Sequence, residues 1–231
     1  MTRSRIAAFV MALILAASCL PAWAGSDDAI IPLERYSTPK GKTLAQTYAG
    51  QLIDFARRIY HCIPWVGANP QSIGFQRPRF ATSDDRYLSV WLSIDQKEDP
   101  QFASLPQARR ASAMFSRYGV EMLKRMAALG VAPDPNVRGF SIVLSWMKPG
   151  TVGQPGVTPM QETLAFFTDK ATAHQFLEQS LPPSEFVQRA NLILFDGDKE
   201  MGRVPIEVWE DNFVTTYKLP NYEPEPGAKC S

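Results

Sequence analysis

The chain has 231 residues, 24 of them Lys or Arg and 23 Asp or Glu, for a formal net charge of +1 with its histidines neutral. Hydrophobic residues make up 45% and charged residues 20%, which supports a real core and argues against wholesale disorder. So even a balance removes the usual electrostatic argument for nucleic acid or an anionic membrane surface as a partner.

Arg3 and Arg5 precede an unbroken apolar run from Ile6 to Ala17, and Ala22-Trp23-Ala24 follows. Basic, apolar and small residues in that order predict a secretory signal peptide over 1–24, cut after Ala24. Cys19 follows Ala16-Ala17-Ser18. That loosely resembles a lipoprotein box, but a large aliphatic belongs where Ala16 stands, so lipidation of Cys19 is the second route. The run falls short of the ~20 apolar residues of a spanning helix. An uncleaved anchor is therefore the third route, and no integral membrane span is expected after cleavage. The expected location is periplasmic or secreted.

Cleavage after Ala24 leaves Cys62 and Cys230. Two cysteines in an oxidising compartment point to one disulfide between them. The competing readings are two unpaired thiols, or a Cys62 that packs as a small hydrophobe.

Residues 25–42 read as an extended leader with Pro32, Pro39 and Gly41, and 43–219 as a single α+β domain. Thr43 can cap a helix to Tyr60, with Leu44, Tyr48, Leu52, Phe55 and Ile59 on one face. Phe75 to Phe80 reads as a short edge strand, because Pro78 cannot donate to a ladder. Tyr87 to Ile94 alternates cleanly and predicts a strand. Ala108 to Leu129 is the longest predicted helix, stopped by Gly130. Gly139 to Met147 and Glu162 to Thr168 read as strands around a Pro/Gly loop, 149–159. Asp169 caps a helix to Ser180, which Pro182-Pro183 ends. Asn191 to Phe195 and Arg203 to Trp209 read as strands around Asp196-Gly197-Asp198, and Asn212 to Leu219 as a last strand. Residues 220–231 form a proline-rich tail.

From Tyr87 onward the order is strand, helix, strand, strand, helix, strand. That is the βαββαβ order of a ferredoxin-like two-layer core, here with an added N-terminal helix and C-terminal strands.

Catalytic signals are sparse. His61 and His174 are far apart in sequence, and His61-Cys62 is an adjacent pair that points about 100° apart on a helix. No zinc spacing results. Asp196, Asp198, Glu200 and Glu207 echo a calcium loop, but Met201 stands where glycine is required and Pro205 interrupts the exit helix. A polar Asp-Gly hairpin turn is the better reading. No nucleophile elbow, P-loop or dinucleotide fingerprint occurs, and Ser141 and Ser145 sit on a strand. No metal, cofactor or catalytic residue is assigned.

One constellation points to binding. If Val90 and Leu92 face the helices, the opposite sheet face carries Tyr87, Trp91, Met147 and Phe167, with Val143 and Ala165. Ser89, Ser93, Ser141, Ser145 and Thr163 lie between them. Aromatics among small polar residues make a contact surface, unless the chain itself covers them. The expectation is an exported periplasmic, non-catalytic protein that binds a partner, another envelope protein, or assists envelope assembly. The alternatives are a secreted hydrolase-like enzyme using dispersed acidic residues, and a small-molecule or lipid carrier.

Overall fold

Leu88, Val90 and Leu92 alternate with Ser89 and Trp91 along β3 (Arg86–Ile94), which gives the strand two chemically different faces. The structure is a computed structural model and describes residues 26–63, 66–78, 82–95 and 100–208. In it Leu88, Val90 and Leu92 are at most 1% exposed, whereas Trp91 is 43% exposed. The segment expected to be a signal peptide, the strand expected over 212–219 and Cys230 lie outside the described residues.

The seven described strands form one mixed sheet. β1 (Val66–Ala68) and β2 (Gly74–Gln76) pair antiparallel with one edge of β3. β4 (Val137–Met147) lies parallel along the other edge, in the register Trp91↔Val143. β5 (Gln161–Asp169), β6 (Asn191–Asp196) and β7 (Lys199–Arg203) follow in order, each antiparallel to the last.

The fold is therefore α+β, and the ferredoxin-like topology is not what forms. That topology needs the parallel strands split by a third, with the last strand beside the first. Here β3 and β4 bond directly and β6 pairs with β5. The reason is local: β1 and β2, which precede β3, already occupy the edge that a returning strand would need.

Helices cover one face of the sheet. Thr38 Oγ1 accepts from the Gly41 amide and caps α1 (Pro39–Thr47), so helix begins at Pro39 and not at Thr43. Tyr48 departs from helical geometry and separates α1 from α2 (Ala49–Cys62). Tyr48 packs on Phe75 with ring centroids 5.6 Å apart. Phe75 lies opposite Leu88 and shares its face.

After α3 (Pro100–Ser104), the long predicted helix forms as α4 (Gln107–Met114) and α5 (Val120–Ala127), joined by one π-helical stretch, Phe115–Gly119. α6 (Lys170–Leu177) starts at the expected Asp169 cap, whose carboxylate accepts from Thr172 N at 2.9 Å. Pro182-Pro183 does more than end a helix: Pro183 opens a further one, α7 (Pro183–Arg189). Proline is at home in a first helical turn, where its missing N–H costs nothing. Phe115 packs edge-on to Phe166, and Phe186 stacks between Phe115 and Phe176, which seats the π-helical stretch, α6 and α7 on one core.

The last hairpin is tighter than expected. Asp196 pairs with Lys199, so Gly197-Asp198 is a two-residue turn, and Gly197 has a φ of 60° that favours glycine. β7 therefore begins at Lys199, ahead of the strand expected from Arg203. The chain then returns to the helix layer, where Ile206 is buried and the Glu207 amide donates to Ser112 Oγ of α4 at 3.0 Å. No helix among the described residues is long and apolar enough to cross a membrane.

Candidate functional site

Two buried ionic groups hold the scaffold. Glu162 of β5 is fully buried and accepts from Arg110 Nε at 2.8 Å and Trp146 Nε1 at 2.8 Å. Arg110 Nη2 also bonds the second Glu162 oxygen, and Arg110 Nη1 bonds the Leu105 carbonyl. This fork ties the start of α4 to the ends of β4 and β5.

The second group joins the start of β3 to α1 and β2. Arg86 donates to Asp84 Oδ1 at 2.7 Å, Thr38 Oγ1 at 2.7 Å and the Phe75 carbonyl at 3.2 Å. Burial pushes the Asp84 carboxyl upward, but hydrogen bonds from Thr38 and Arg86 and the charges of Arg86 and Lys40 outweigh it and hold it below its ordinary value. Both groups are spent on structure and leave little for chemistry.

The face away from the helices is different. Across it the register aligns Trp91, Val143, Ala165 and Ile193 in one row over four strands. Ser93, Ser145, Thr163 and Phe195 form the row on one side, and Ser89, Ser141, Phe167 and Asn191 the row on the other. The Trp91 Nε1 donates to Ser145 Oγ at 2.8 Å, and Ser145 Oγ bonds Thr163 Oγ1 at 2.9 Å. That chain draws the indole over β4 and fixes its direction. Tyr87 and Phe167 meet edge-to-face at 6.3 Å.

Three hollows open on or beside this face. One of about 660 Å³ holds Tyr87 and Phe167 together, with Ile193, Phe195, Arg138 and Asp169. One of about 520 Å³ holds Trp91 with Ser89, Ser141 and Val143, and one of about 330 Å³ holds Met147 with Ser93 and Ser145. The four expected contact residues thus share a face but sit in three separate hollows. Ile193 and Phe195 extend that face and were missed. Their alternation with the buried Leu192 and Leu194 was the available signal. Arg35 comes from a short 3₁₀ turn, Leu33–Arg35, and Gln71 and Arg77 from loops, and no periodicity reveals their approach.

Reactive groups do not converge here. Among the described residues no histidine or cysteine lines any of the three hollows. His174 is exposed beside Glu178, at 3.1 Å. Asp196 is held by Lys148 Nζ at 2.7 and 2.9 Å, and Asp198 lies in the hairpin turn. Among the described residues no group of three or more His, Cys, Asp or Glu could hold a metal ion. Burial raises the Asp169 carboxyl, yet bonds from Thr172 and the Ala171 amide and the Arg138 charge bring it below its ordinary value. It serves as an ionised helix cap. Cys62 is buried at the end of α2. What this face presents is aromatic surface, hydroxyls and fixed charges.

No family model, curated protein or solved structure matches the chain.

Proposed function

We propose that this chain is an exported periplasmic, non-catalytic binding module, an accessory in envelope assembly, and that the open sheet face is its contact surface. The observation that carries the reading is Trp91, 43% exposed on a face that no described helix covers, with its indole already anchored to Ser145. A large aromatic held in place at the surface is characteristic of contact sites, because little side-chain entropy remains to be lost on binding. Export is supported by the order of Arg3, Arg5, the apolar run and Ala22-Trp23-Ala24. The Cys62–Cys230 bond belongs to the same reading.

Photo-crosslinking tests it. A benzoylphenylalanine placed at Tyr87 is expected to trap a discrete envelope component in living cells. The same group at Lys124, an exposed position on the helix layer, should trap none. Equal yields at both positions would remove the case for this face.

A further inference from the structure

The hollow of about 520 Å³ beside Trp91 has a composition suited to one ligand chemistry. Its wide aromatic is Trp91, and the indole is set over β4 before any ligand arrives. Around it lie Ser141, Gln71, Arg35 and Arg77, none of which makes a side-chain hydrogen bond among the described residues. Arg86 also lines the hollow, but Asp84, Thr38 and the Phe75 carbonyl already use its guanidinium. Among the described residues no aspartate or glutamate lines it. Arg35 and Arg77 therefore leave a local positive charge that the rest of the described lining does not balance.

An apolar partner would bury these hydroxyl, amide and guanidinium groups without hydrogen bonds, which is unfavourable. A ligand that matches them needs a flat C–H face, many hydroxyls and an anion. We infer that this hollow binds an acidic saccharide of the uronate type. The C–H face of the sugar stacks on the electron-rich face of the Trp91 indole. Its hydroxyls meet Ser141 and Gln71, and its carboxylate meets the Arg35 and Arg77 forks, which suit a planar anion. The inference rests on the reading of this face as a contact surface and names the chemistry recognised there.

The test is a calorimetric titration of the mature chain with trigalacturonate, with maltotriose as the neutral control. Trigalacturonate is expected to bind saturably and maltotriose much more weakly. Trp91→Ala and Arg77→Gln should each weaken the acidic sugar by about tenfold or more, and added salt should weaken it further. Both positions are exposed, so far-ultraviolet circular dichroism of the variants should match the parent. Absence of saturable trigalacturonate binding would overturn the inference. So would equal binding of maltotriose, or binding unchanged in Trp91→Ala. If the sugar fails while the Tyr87 crosslink still forms, only the saccharide falls. If both fail, the contact surface falls with it.

Discussion

Replacing Glu162 by Gln should be among the most damaging single changes available in the sheet. The carboxylate is fully buried and receives both arms of Arg110 together with the Trp146 indole N–H. Glutamine has nearly the same shape and can still accept from Trp146. What it removes is the charge opposite Arg110, whose side chain is only 10% exposed. An uncompensated buried charge costs about 3–5 kcal/mol, a large share of the ~5–15 kcal/mol that holds a typical domain together. At roughly 2–4 °C per kcal/mol for a domain of this size, the melting temperature should fall by about 6–20 °C. Replacing both partners with apolar side chains, Glu162→Met with Arg110→Met, should restore much of the loss, because neither charge is then desolvated. Thermal and urea unfolding followed by circular dichroism measure the parent, Glu162→Gln and the double variant in one buffer. A Glu162→Gln midpoint within about 2 °C of the parent would refute the reasoning and show that water reaches the pair.

Three further outcomes are expected, two from the structure and one from the cysteine count. Gly139→Ala should cost about 1–3 kcal/mol in urea unfolding, because a Cβ there would lie 2.1 Å from the Thr168 carbonyl oxygen, which is backbone and cannot rotate away; a neutral result would show that β4 and β5 can slide apart. Burial pushes the Tyr118 hydroxyl up to about 12, so the folded state holds this proton more tightly than the unfolded chain. Its contribution is complete below the ordinary value of 10.0 and is lost as pH rises from there towards 12. Tyr118→Phe should flatten that alkaline loss, and an unchanged pH profile would place the effect elsewhere. Mass spectrometry of a non-reduced digest is expected to show Cys62 and Cys230 in one linked peptide, and two free thiols would contradict the pairing.

Elements were more legible in the sequence than their arrangement. The strands at Tyr87 and Gly139 could be read because strict alternation leaves one apolar and one mixed face, and Leu88 to Leu92 and Phe140 to Leu144 supply it. Asp169 announced its helix because an acidic side chain before an apolar run satisfies the first free amides. Strand neighbours were not legible. Which edge of β3 stays open depends on the short β1 and β2, three residues each, too brief to show a period. Pro183 misled because proline both ends helices and begins them. The orientation of Trp91 followed from alternation with Val90 and Leu92. Its hydrogen bond to Ser145 and the approach of Arg35 and Arg77 depend on tertiary contacts that leave no local pattern.

The proposed contact surface is tested most directly by Trp91→Ala, scored at once for stability and for recovery of the envelope component that the Tyr87 crosslink is expected to trap. With the indole 43% exposed, its loss should destabilise the protein by well under the ~3–5 kcal/mol of a buried aromatic-to-alanine change. The account predicts a folded variant with a melting temperature a few degrees below the parent at most, and partner recovery abolished. A large fall in melting temperature, with recovery unchanged at a permissive temperature, would contradict it and make Trp91 part of the core.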